Sequence, residues 1–176
     1  MSKIFDLNNV PDFKNKRVVL VGGYFDLLHA GHVSFLEKCR EYGEVLVVAV
    51  NSDWRAKIKG PSRPIISEKD RLYLVSKLEV VDFCFLSDYR YDQEDGMLVK
   101  KIGASVVVFS DDQSNSLKTM MHSEGEKENS EKKNQEKSFL EENMPHIEIV
   151  TIPRQRLDLS TSQIIEKIVA QSRVKE

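Results

Sequence analysis

Arg17-Val-Val-Leu-Val-Gly-Gly-Tyr-Phe-Asp-Leu-Leu-His-Ala-Gly-His32 is the stretch from which the fold can be read. It opens on a run of β-branched and aliphatic residues without polar alternation, the pattern of a strand buried on both faces, and the run stops at Gly22-Gly23. Downstream, Phe35, Leu36, Cys39 and Tyr42 recur at helical spacing before Gly43, the residue type favoured just past a helix end. A second buried run, Val45-Leu-Val-Val-Ala-Val50, then ends at Asn51-Ser-Asp53. Strand, helix and strand in this order predict a β-α-β unit with parallel strands. The loop Gly22 to His32 therefore lies at the carboxyl end of a strand and the amino end of a helix. Ligands of open parallel sheets bind there, and unpaired N–H groups with the positive end of the helix dipole favour phosphate. His29 and His32, three residues apart at a helix start, can address one ligand together, and Gly31 between them permits close backbone approach.

The rhythm continues along the chain. Ser67-Glu-Lys-Asp70 matches a capping box and opens a helix with Leu72, Val75 and Leu78 on one face, followed by a strand over Val80 to Leu86. A short helix near Gly96 to Ile102, a strand Val106-Val-Val-Phe109, a strand Ile147 to Thr151 and a helix from about Ser160 complete the pattern. About five strands separated by helices predict an α/β domain, a parallel sheet covered on both faces. The whole chain, 1–176, reads as one domain with one exception. Asp111 to Ser138 has no aromatic and few apolar residues, so it is expected to be a disordered insertion or, alternatively, a substrate lid.

With 176 residues, 40% hydrophobic and 31% charged, the chain supports one core and a polar surface. No run approaches the ~18 apolar residues of a membrane span. Twenty-six basic against 28 acidic residues leave a net charge of −2, which gives no electrostatic reason to expect nucleic acid. The N-terminus lacks the basic-then-apolar order of a signal peptide, so a cytoplasmic protein is expected. Cys39 and Cys84 fall in apolar segments and read as buried thiols. The His-x-x-His pair has no nearby cysteine, third histidine or adjacent glutamate to complete a zinc set. The first β-α-β unit lacks the Gly-x-Gly-x-x-Gly fingerprint of dinucleotide enzymes.

The glycine loop followed by His29-Ala-Gly-His32 resembles the signature of the cytidylyltransferase-like nucleotidyltransferases. Ser160-Thr-Ser-Gln-Ile-Ile165 is similar to their second motif; read from residues alone, Ser160 is an N-cap with Gln163 closing a capping box. Lys57-Ile-Lys-Gly-Pro-Ser-Arg-Pro-Ile65, Val48 to Asp53 and Lys3 to Leu7 most resemble the adenylyltransferase domain of the bifunctional heptose-phosphate enzymes. Lys59-Gly60-Pro61 is also similar to choline- and ethanolamine-phosphate cytidylyltransferases, and glycerol-3-phosphate cytidylyltransferase shares the frame. Two departures stand out: Phe109-Ser-Asp-Asp112 replaces the Lys-Gly-x-Asp-Tyr pattern of the heptose-type enzymes, and Gln155, between Arg154 and Arg156, occupies a position where many cytidylyl relatives carry arginine.

The resemblance implies a Rossmann-like doubly wound fold and transfer of a nucleotidyl group, AMP favoured over CMP, from a nucleoside triphosphate to a small phosphorylated acceptor. It assigns His29 and His32 to catalysis, together with Lys57 or Lys59 toward the acceptor or the triphosphate. Gly22, Gly23, Tyr24, Phe25, Asp26, Gly31, Arg71, Asp111, Ser160, Thr161 and Ser162 are assigned to nucleotide binding, with Asp26 orienting a histidine or metal-bound water. Magnesium is expected from the chemistry, and homodimerisation, common in the family, has no diagnostic residue here. A non-catalytic nucleotide sensor on the same fold is the alternative of a different class.

Overall fold

The structure is a computed structural model that describes residues 2–57, 62–89, 96–111, 124–153 and 159–173. Its elements are β1 (Val18–Gly23), α1 (Ala30–Arg40), β2 (Val45–Asn51), α2 (Asp53–Ala56), α3 (Glu68–Ser76), β3 (Phe83–Ser87), α4 (Met97–Ile102), β4 (Val106–Asp111), α5 (Glu124–Asn143), β5 (Glu148–Pro153) and α6 (Thr161–Arg173). The five strands form one parallel sheet in the order β3-β2-β1-β4-β5, the Rossmann-like arrangement the sequence predicted. The order reverses beside β1, which puts the loop after β1 at the switch point where such sheets bind ligands.

Alternation along β1 divides the core. Val19 and Val21 pack with Leu36, Cys39, Leu72 and Val75 of α1 and α3, whereas Val18 and Leu20 face Leu98 and Ile102 of α4 and Leu140 of α5. The N-terminal segment joins the second layer: Phe5 packs on Phe83 and Phe85, and residues 3–5 pair with Cys84 on the outer side of β3.

Two expectations are corrected. The strand expected over Val80 to Leu86 begins at Phe83, because Leu78 to Asp82 complete the turn after α3. The segment expected to lack structure carries α5 over its second half, continuing to Asn143, while residues 112–123 lie outside the described residues. Low apolar content argues against core burial, not against a helix, and Glu and Lys are good helix formers. Lys137 and Glu141 pair at i,i+4, and Leu140 and Met144 anchor the end of the segment in the core. No helix among the described residues is long and apolar enough to cross a membrane.

Candidate functional site

The loop after β1 is tight. Phe25 and Leu27 adopt φ of 53° and 48°, left-handed values that are rare for side-chain-bearing residues; a backbone held so far from its ordinary wells marks a turn over-determined by its surroundings. Buried Phe25 supplies part of that determination, its ring lying 5.4 Å from His32.

The two histidines cap α1 reciprocally. His29 is the N-cap residue and its Nδ1 accepts from the Gly31 N–H at 3.1 Å, while His32 Nδ1 accepts from the His29 N–H at 3.4 Å. An imidazole nitrogen that accepts carries no hydrogen, so in both neutral rings the hydrogen sits on Nε2. Capping thus fixes the tautomers and makes each Nε2–H a donor. The rings stack, centroids 3.9 Å apart. A Cβ on residue 31 would lie 3.0 Å from the His29 ring, so glycine there lets the stack form. The first turn of α1 has no acidic residue to offset its dipole, and neither has that of α6.

The start of α6 lies against this loop. Leu159 O is 3.4 Å from where a Gly31 Cβ would stand, Thr161 Oγ1 donates to Asp26 O at 2.7 Å, and Ser160 Oγ accepts from the Gln163 N–H at 3.1 Å as the expected N-cap. Arg63, which sequence reasoning passed over, bridges the two segments. Its guanidinium donates to Asp26 Oδ2 at 3.2 Å and to Ser162 Oγ at 3.1 Å. His29, His32, Gly31, Ser160, Thr161, Ser162 and Arg63 therefore converge on two adjoining helix N-termini.

Other expected residues are placed differently. Asp26 is 6% exposed and its carboxylate accepts from the N–H groups of Ile65 and Ile66 as well as from Arg63, so it anchors the loop before α3 rather than orienting a histidine or a metal-bound water. Arg71, at 0% exposure, donates to Ile66 O, Tyr24 O and Asp53 Oδ1, and so braces the loop from within. Lys57 is an exposed residue capping α2, Asp111 ends β4 opposite Pro153, and Lys59, Arg154, Gln155 and Arg156 lie outside the described residues.

A second polar group adjoins Tyr24. The register pairs Gly23 with Val50, one residue before Tyr24 and Asn51. Arg55, on α2, donates to Asn51 Oδ1 at 3.0 Å and to Tyr89 O, and Glu136 of α5 faces it at 3.7 Å. Burial pushes the Tyr24 phenol above its ordinary value; Arg55 and Arg71 oppose the shift and Glu136 adds to it. Neither Arg55 nor Glu136 carried a signal in sequence, since they meet only across the fold. The described residues bring no three His, Cys, Asp or Glu side chains together as a metal cage.

A family model described as cytidylyltransferase-like matches residues 20–167. Bifunctional protein HldE of Nitratiruptor sp. is 43% identical over 98 residues, 54% of this chain and 20% of that protein; its counterpart from Helicobacter acinonychis is 44% identical over 78 residues, 44% of this chain and 17% of the other. The match thus spans a fifth or less of these longer relatives. A lipopolysaccharide core biosynthesis protein from Thermoplasma volcanium superposes with a TM-score of 0.59 at 27% identity, covering 81% of this chain and all of the other. Pantothenate synthetase from Thermus thermophilus shares the fold, with a TM-score of 0.54 at 15% identity over 90% of this chain and 63% of its own.

Proposed function

Since the chain belongs to the cytidylyltransferase-like family of nucleotidyltransferases, we propose that it transfers AMP from ATP to the phosphate of a small sugar-phosphate acceptor. An acceptor phosphate oxygen attacks the α-phosphorus in line, the bond from that phosphorus to the bridging oxygen breaks, and pyrophosphate leaves with the electron pair. The observation that carries the proposal is the stacked, reciprocally capped pair His29–His32 with both hydrogens on Nε2, set beside the start of α6. Two fixed donors and two helix N-termini offer stabilisation to charge that grows on the α- and β-phosphates, without reorganisation at the moment of transfer. Ser160, Thr161 and Ser162, at the start of α6, cradle the triphosphate, and the exposed Lys57 that ends α2 reaches it; Lys59 is assigned to the same task by the family resemblance.

ATP is favoured over CTP by the likeness of residues 48–53 and 57–65 to heptose-type adenylyltransferases. The identity to HldE proteins supports a sugar phosphate as acceptor. Asp26, the carboxylate of the loop, spends its oxygens on Ile65, Ile66 and Arg63, and the described residues do not build a magnesium site. Magnesium, which favours phosphate oxygens and water, would then arrive with the incoming triphosphate. Pyrophosphate release, assayed with each nucleoside triphosphate against a panel of sugar, polyol and amino-alcohol phosphates, tests the proposal. Turnover with ATP and a sugar phosphate is expected. Turnover only with CTP would move the protein to the cytidylyl branch, and binding of triphosphate without turnover by any acceptor would leave a nucleotide sensor.

A further inference from the structure

We propose that Arg55 is the anchor for the acceptor's phosphate, with Glu136 of α5 standing in for that phosphate while the subsite is empty; this rests on the nucleotidyl-transfer reading above. The Arg55 side chain is 14% exposed and that of Glu136 11%, so both charges have left most of their water. A guanidinium so desolvated requires a counter-charge. Glu136 provides one, but at 3.7 Å, outside the distance of the charge-assisted bonds a guanidinium makes with a well-fitted oxyanion, ~2.7–2.9 Å. Among the described residues the other hydrogen-bond partners of Arg55 are the Asn51 side-chain oxygen and the Tyr89 carbonyl, neutral groups that orient its fork without neutralising it.

Position supports the assignment. Asn51 and Tyr24 follow the paired residues Val50 and Gly23 at the carboxyl ends of β2 and β1, and Phe25, next along, packs on His32. Arg55 therefore stands by the Tyr24 end of the loop, whereas Arg63 and the start of α6, which are taken for the triphosphate, hold its Asp26 end. An acceptor must approach the α-phosphorus opposite the departing pyrophosphate, so it needs a cation distinct from those that hold the triphosphate, and Arg55 is such a cation. A phosphate has three oxygens and up to two charges, and it satisfies a planar fork better than one carboxylate held at a distance. Because Glu136 belongs to α5, the acceptor would compete with the contact this helix makes to α2.

The test uses the full chain saturated with α,β-methylene-ATP, so that the triphosphate site is filled, titrated first with inorganic phosphate and then with glucose 1-phosphate. Calorimetry is one readout. Fluorescence of the single tryptophan, Trp54, adjacent to Arg55 in sequence and exposed, is the other. Arg55→Gln should weaken phosphate binding at least tenfold, and Glu136→Gln, which keeps size and hydrogen-bonding capacity, should tighten it about threefold or more. Opposite signs are the signature, because a merely structural ion pair would be harmed by loss of either partner. Equal binding by wild type and both variants, or weakening by both, would overturn the subsite while leaving nucleotidyl transfer intact. Failure of the wild type to bind α,β-methylene-ATP would overturn that reading and the subsite with it.

Discussion

Replacing Asp26 by asparagine removes one charge at the point where three segments meet. The carboxylate accepts from the Ile65 N–H at 3.1 and 3.0 Å, from the Ile66 N–H at 3.0 Å and from Arg63 at 3.2 Å. Asparagine keeps one acceptor oxygen and turns an NH2 group toward donors it cannot satisfy. A buried donor left facing it costs about 1 to 2 kcal/mol, and the mostly buried Arg63, without its counter-charge, a similar amount. The expected loss is about 3 kcal/mol, a large share of the ~5–15 kcal/mol that holds a domain together. With a urea m-value of about 2 kcal/mol/M, the midpoint falls by roughly 1.5 M. Arg63→Gln should cost less, about 1 to 2 kcal/mol, because both main-chain donors keep their carboxylate. A double-mutant cycle should give a coupling above about 1 kcal/mol between contacting partners. Because Arg63 also holds Ser162, both variants should weaken α,β-methylene-ATP binding at temperatures where they are folded. An Asp26→Asn protein within about 0.5 kcal/mol of wild type would refute the anchoring role.

His32→Ala should lower pyrophosphate release by about 100-fold or more with the fold retained, since it removes a donor from the transition state, and His29→Ala should do the same while also losing an N-cap, about 1 kcal/mol; near-normal turnover by both would make the pair structural. Cys39 and Cys84 are buried, and burial pushes both thiols up to about 12, so neither should react with iodoacetamide at pH 8 until urea unfolds the chain. The neutral thiol is the folded form, so its stabilisation is complete below the unfolded value near 9 and is lost as pH rises toward 12, which unfolding curves across that range would register. Leu140→Ala should cost about 3 kcal/mol by urea unfolding, because that side chain is wholly buried under α4 and the sheet; an unchanged midpoint would show that α5 is not part of the core.

What could be read in sequence was local. Uninterrupted aliphatic runs such as Val45 to Val50 identify buried strands because both faces demand apolar residues, and the spacing of His29, Gly31 and His32 marks the turn from strand to helix because each residue answers a constraint within three positions. Arg71 shows where this stops: an arginine on the helix beside the site reads as a ligand, yet its guanidinium is the internal brace for the carbonyls of Tyr24 and Ile66. Arg63, Arg55 and Glu136 were missed for the same reason, since partners 37, 99 and 81 residues apart leave no periodic trace. α2 escaped because four residues directly after a strand are too few to show a period. α5 escaped because its composition was read for burial, whereas charged residues make helices without a core.

The backbone pairing of residues 3–5 with Cys84 has a consequence for how molecules of this protein meet. β3 is the outermost strand on its side of the sheet, and its other margin is a row of main-chain donors and acceptors among Phe83 and Phe85. Uncapped, such a margin is a template for strand addition by another chain, and its aromatic residues would make the seam adhesive. The Cys84 N–H donates to Lys3 O at 2.9 Å, the Phe5 N–H donates to Cys84 O at 3.1 Å, and Lys3 Nζ donates to Leu78 O at 2.8 Å, tying the segment down. Residues 3–5 thus stand where another chain's strand would add, and substitutions that loosen them should change colloidal behaviour without touching the histidines.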